Sequence, residues 1–121
     1  MELEILPDGL TVCQVRDLSD IDLNGDFYFI GKTDQELSLV CPTAYAPVNI
    51  LSREDGWRGF RIKGTLDFSL VGVLSRLSGL LAAGGVGLFA VSTYNTDYIL
   101  VKQEHFRKAL EILTGAGYRL A

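Results

Sequence analysis

The stretch that most restricts how this chain can fold is residues 64–102, GTLDFSLVGVLSRLSGLLAAGGVGLFAVSTYNTDYILVK. It holds one helical repeat of apolar residues, stopped by glycines and followed at once by two short β-rich runs. Leu70, Val71, Val73, Leu74, Leu77, Leu80 and Leu81 recur on one helical face, while Gly72, Ser75, Arg76, Ser78 and Gly79 occupy the other. Asp67 or Ser69 is placed to cap the first free N–H groups, and Gly84-Gly85 supplies a left-handed stop. Residues 86–93 are too short and too glycine-bounded for a second helix. DYILVK at 97–102 has the β-branched and aromatic content of a partner strand, so the helix is followed by a β-hairpin.

The rest of the chain is read around that centre. LTVCQV at 10–15 is an apolar strand introduced by the turn Pro7-Asp8-Gly9, and residues 16–26 are acidic and hold at most a turn or two of helix. FYFIG at 27–31 and LSLVC at 37–41 flank a polar turn and form a second hairpin. Pro42 and Pro47 bracket a piece that accommodates one helical turn at 43–45. SREDG at 52–56 reads as a charged loop and as the boundary between two halves, 1–55 and 56–121. Phe60 and Ile62 then alternate with Arg61 and Lys63 as a strand does. Phe106, Ala109, Leu110 and Leu113 mark an amphipathic helix over 103–114, and residues 118–121 suit a last short strand. The C-terminal half therefore runs strand, helix, strand, strand, helix, strand, the split βαβ order of an α+β ferredoxin-like fold. The two hairpins also resemble each other. FIGKTDQELSLV aligns with FAVSTYNTDYILV if the second turn holds one extra residue, which sets Thr33 against Thr93 and Glu36 against Asp97.

With 121 residues and 48% hydrophobic content there is enough apolar material for a core, but each half alone would bury only ~60% of its unfolded surface. Two such halves are expected to pack together, with a ligand between them. The net charge of −4 and the scattered Lys and Arg residues argue against nucleic acid and against an anionic membrane surface. The acidic start MELEILPDG lacks the basic and apolar parts of a secretory or mitochondrial signal, so a cytoplasmic location is expected. The charge-free run 77–96 approaches spanning length, but its glycines and hydroxyls fit a soluble helix, turn and strand better. Cys13 and Cys41 lie in strand-like runs and read as buried free thiols.

The chemistry legible in these residues is binding. A helix start after residues 65–69 offers backbone N–H groups and partial positive charge to a carboxylate or phosphate, and Gly72 permits close approach. Asp67, Asp97 and Glu36 offer the opposite charge to an ammonium or guanidinium group, a combination that suits a zwitterion. The bland account makes Asp67 or Ser69 a cap only, and the turn Ser92-Thr93-Tyr94-Asn95-Thr96 merely solvated. No nucleophile with a base, P-loop or zinc spacing is assembled, no cofactor or metal is called for, and His105 reads as a surface residue. Trp57, Phe60, Phe89, Tyr94 and Tyr98 could suggest an RNA-stacking sheet, which the acidity disfavours.

ELSLVCP at 36–42, Gly56-Trp57-Arg58, GTLDFS at 64–69 with Gly72, and above all STYNTDYILVK at 92–102 resemble the small bacterial tandem ACT proteins. These are related to the ACT modules of the Castor-type arginine sensors of animal cells. The resemblance covers most of the chain from about Phe27 onward. It implies two ACT-type ferredoxin-like units side by side, the first abbreviated, with no catalytic activity of their own. It further implies regulatory binding of a small molecule, usually an amino acid, at a junction of ACT units. The residues it points to are Asp67, Phe68, Ser69, Leu70, Val71 and Gly72, with Thr93, Asn95, Thr96 and Asp97 as neighbours. Because the animal sensors have four units, a complete site here implies a homodimer, and any regulated activity implies another protein. The competing expectations are a ligand-free module that dimerises or docks on a partner, and a small enzyme using Asp67 or His105.

Overall fold

The computed structural model of the chain describes residues 1–66 and 71–121. The chain forms two compact units. One comprises Met1–Pro7 with Arg58–Ala121 and the other Asp8–Trp57. Among the described residues there are eight strands: β1 (Glu2–Ile5), β2 (Leu10–Val15), β3 (Phe29–Lys32), β4 (Leu37–Pro42), β5 (Ile50–Ile62), β6 (Phe89–Ser92), β7 (Asp97–Lys102) and β8 (Arg119–Leu120). Two α-helices, α1 (Val73–Ala83) and α2 (Gln103–Gly115), and a 3₁₀ turn (Thr43–Tyr45) complete the described elements.

In the larger unit the strand order is β6, β7, β5, β1, β8. The hairpin β6–β7 lies on one side of β5, and β1 is inserted between β5 and β8, antiparallel to the former and parallel to the latter. Without β1 this is the split βαβ order expected from the sequence. Leu77 and Leu81 of α1 and Ala109 and Leu113 of α2 join Leu3, Phe60, Ile62, Ile99 and Val101 in one buried cluster. Leu77 and Leu81 are four apart and so lie one above the other on the same helical face. Gly84 and Gly85 end α1, and Gly85 takes a φ of 77°.

The smaller unit has the order β3, β4, β2, β5 and no α-helix among its described residues. A loop over residues 16–28 stands where the larger unit has α1, and the 3₁₀ turn stands where it has α2. Cys13, Val15, Leu39 and Cys41 form its buried cluster, with Ile21 and Tyr28 of the loop packed on them. Both cysteines are free and buried, as the sequence suggests.

Five expectations are corrected. The acidic opening residues, passed over as a strand, form β1, because Leu3 pairs with Ile62 and is wholly buried. Residues 52–56 are no loop. They belong to β5, whose Ser52, Arg53 and Glu54 pair with Gln14, Cys13 and Val12. Polarity there reflects an exposed strand, and Gly56, with φ 82°, marks a bulge where the register shifts between Leu10 and Val12. Consequently residues 1–7 group with the C-terminal unit, and the division falls inside β5. Helix α1 begins at Val73 with Gly72 as its N-cap, so neither Asp67 nor Ser69 holds that position, and Val71, expected on the buried face, is 94% exposed. Finally, the two hairpin turns are equally long: Lys32 pairs with Leu37 and Ser92 with Asp97, so Glu36 corresponds to Thr96 and not to Asp97.

Candidate functional site

The left-handed conformation of Gly72 (φ 82°) turns the chain into α1, where the N–H of Arg76 donates to the Gly72 carbonyl at 2.8 Å. The N–H groups of Val73, Leu74 and Ser75 precede the first helical bond, and glycine has no side chain with which to cap them. Opposite this helix start lies the β6–β7 turn. The N–H of Thr93 donates to the Thr96 carbonyl at 2.9 Å, and the Thr93 hydroxyl donates to the same oxygen at 3.1 Å. Thr96 is 7% exposed because its hydroxyl reaches back to the Ile62 carbonyl of β5 at 2.9 Å. A further backbone bond, from Leu66 N–H to the Asn95 carbonyl at 2.7 Å, fixes the turn to the segment leaving β5.

Helix start and turn enclose a recess of about 330 Å³. Leu66, Val73 and Leu74 give it an apolar side, and Ser75, Ser92, Thr93, Asn95, Thr96 and Asp97 a polar one. Asp97 is the one charged side chain among the described lining residues, and its carboxylate accepts a 2.6 Å hydrogen bond from the Ser92 hydroxyl. Backbone donors with the positive end of the helix dipole on one wall and a carboxylate on another are what a small zwitterion requires. The volume is at the small end for ligand pockets, the size of a single metabolite.

Of the residues singled out in the sequence, Gly72, Thr93, Asn95, Thr96 and Asp97 come together here. Val71 lines an adjoining recess of about 250 Å³ that shares Gly72 and Val73 with the first. Glu36 belongs to the smaller unit, where it lines a separate depression of about 220 Å³ and accepts a bond from Ser38 at 3.0 Å. Asp67, Phe68, Ser69 and Leu70 lie outside the described residues. Leu66, Val73, Leu74 and Ser75 were not foreseen as lining. Moving the helix start to Gly72 would have identified the last three, because they are then its first turn.

The ACT domain family model matches residues 52–115, more than half of the chain. The chain belongs to the ACT domain family. The matched segment carries β5 from Ser52 onward, α1, the hairpin and α2, and hence the whole described recess. Over 58 residues the chain is 34% identical to the cytosolic arginine sensor for mTORC1 subunit 1 of Homo sapiens and of Bos taurus, an alignment covering 47% of this chain and 18% of the sensor. The match thus spans less than a fifth of the sensor's length. A protein of Agrobacterium tumefaciens superposes with a TM-score of 0.87 at 29% identity, over 99% of this chain and 91% of that one. The ligand-free regulatory subunit of aspartate kinase from Thermus thermophilus superposes at 0.66 with 12% identity, over 97% and 98% of the two chains. At that identity the likeness is one of fold. No described helix is long and apolar enough to cross a membrane, and the described residues hold no cluster of three or more potential metal ligands.

Proposed function

We propose that this ACT protein is a non-catalytic regulatory module that binds a free amino acid in the recess between the start of α1 and the β6–β7 turn. The observation that carries the reading is the first turn of α1, which left-handed Gly72 leaves without a side-chain cap of its own, facing the Asp97 carboxylate across about 330 Å³. The ligand's carboxylate would accept from the N–H groups of residues 73–75, and its ammonium would donate to Asp97 and the hydroxyl-rich turn. Asp67, Phe68, Ser69 and Leu70, next to Leu66 in sequence, are proposed as the remaining neighbours of the ligand. A homodimer would supply a second wall, and the activity regulated would be another protein's. A bound ligand that favours one association state over another supplies the switch through its difference in affinity.

The test is thermal unfolding in the presence of each standard amino acid. At a hundred times Kd a ligand adds about 2.7 kcal/mol of stability, which moves Tm by roughly 10 °C in a chain of this size. No shift with any amino acid, up to millimolar concentration, leaves the ligand-free docking module as the better account.

A further inference from the structure

The adjoining recess of about 250 Å³ shares Gly72 and Val73 with the first, and Arg76 is the one charged side chain among its described lining residues. Side chains on a helix lean toward its N-terminus, which carries the Arg76 guanidinium toward the start of α1. That guanidinium is held in place. Its Nη2 donates to the Ala116 carbonyl at 3.2 Å, and it stacks 5.6 Å from the centre of the Tyr118 ring. Arg53, Arg61, Arg107 and Arg119 each pair with a carboxylate within 4 Å, but Arg76 has no such partner among the described residues. The two recesses share Gly72 and Val73, and among their described lining residues each has one charged side chain, Asp97 negative and Arg76 positive.

We propose that Arg76 reads the far end of the ligand, and that the site therefore takes an amino acid whose side chain is itself a carboxylate, of the aspartate and glutamate class. This rests on the amino-acid reading above and adds the charge of the ligand's side chain to it. The guanidinium is a planar fork suited to a carboxylate, it has two protein contacts that pre-order it, and no carboxylate among the described residues pairs with it. An arginine or lysine ligand would bring a second cation against it. Glutamine and asparagine keep the shape and lose the charge, so they isolate this one contribution.

Calorimetric titration with L-glutamate, L-glutamine, L-aspartate, L-asparagine and L-arginine tests the proposal. The acids are expected to bind about tenfold more tightly than their amides, and Arg76→Gln to abolish that preference while Arg76→Lys retains part of it. If Arg76 serves only to hold the end of α2, Arg76→Gln lowers stability but leaves the acid-to-amide ratio unchanged, and the proposal is wrong. Tighter binding of arginine, or equal binding of acid and amide, overturns the proposal while the amino-acid reading stands. Failure of all five and of every other amino acid overturns both.

Discussion

Alanine at Gly72 and alanine at Gly79 should move the stability of this protein in opposite directions. Gly72 has φ 82°, and a Cβ built there meets nothing within 4 Å. Its replacement is therefore a test of backbone strain alone, without a steric clash, and forcing an L side chain into the left-handed region costs about 1–2 kcal/mol. Gly79 lies inside α1, and its Cβ also meets nothing within 4 Å. There the methyl only removes freedom from the unfolded chain, which stabilises a helix interior by about 0.5–1 kcal/mol. The two variants should thus differ by roughly 1.5–3 kcal/mol although each adds the same methyl to an open position. Urea unfolding followed by far-ultraviolet circular dichroism reads the difference as a gap of about 1 M between midpoints, with slopes unchanged. If Gly72→Ala is as stable as the parent, Gly72 is not left-handed and α1 starts earlier, which restores Asp67 or Ser69 as the cap and removes the donors from the recess.

Thr96→Val should cost about 1–3 kcal/mol, because it leaves the Ile62 carbonyl without the hydroxyl that reaches it at 2.9 Å. Thr93→Val, at an exposed position, should cost less, and equal urea midpoints for the two would contradict the assignment of the buried bond. Burial raises the pKa of both thiols, that of Cys41 to about 11. A raised folded-state pKa contributes stability that is complete below the unfolded value of 9.0 and is lost as pH rises through about 11. Tm should accordingly fall between pH 9 and 11, and fall less steeply in Cys41→Ala; identical slopes would rule the thiol out as a cause. Asp97→Asn should weaken the amino-acid ligand at least about tenfold, as loss of a charge-assisted bond requires. Its Tm without ligand should barely move, since an amide still accepts from the Ser92 hydroxyl.

Periodicity made β2, β7, α2 and the 3₁₀ turn legible within a residue or two, since each has a pattern of its own length, while β6 starts at Phe89, three residues later than the run 86–93 suggests. What escaped the sequence has a common physical cause. The strand β1 is acidic at Glu2 and Glu4, and its place is decided by partners far along the chain, Arg61 and Lys63, which lie within 4 Å of those carboxylates. The charged strand 52–56 likewise owes its conformation to pairing with β2, and its own composition favours a loop. At the recess, the turn residues and Gly72 were singled out through the family resemblance, since a hydroxyl-rich turn has by itself the composition of any solvated hairpin. The helix start was misjudged because the apolar pattern runs back through Val71 to Leu70, although Val71 is almost fully exposed. Amphipathic spacing places a face correctly and a terminus poorly.

The two hairpins show which part of the site is particular to one unit. They correspond position for position, Phe29 with Phe89, Thr33 with Thr93, Glu36 with Thr96 and Val40 with Leu100, and both turns are closed by the same backbone bond, 3.0 Å in one and 2.9 Å in the other. The threonine hydroxyl at the first turn position also engages the turn in both. Yet Glu36 is exposed where Thr96 is buried. In the larger unit that position reaches β5 and closes one wall of the recess, and α1 supplies the donors of the other. The smaller unit has a turn of the same length, but a loop replaces the helix, so no helix start faces it. A hydroxyl-rich turn alone therefore does not make a recess of this kind. What sets the larger unit apart is a glycine standing immediately before the first helical residue, because glycine brings no side chain to cap the first N–H groups of the helix.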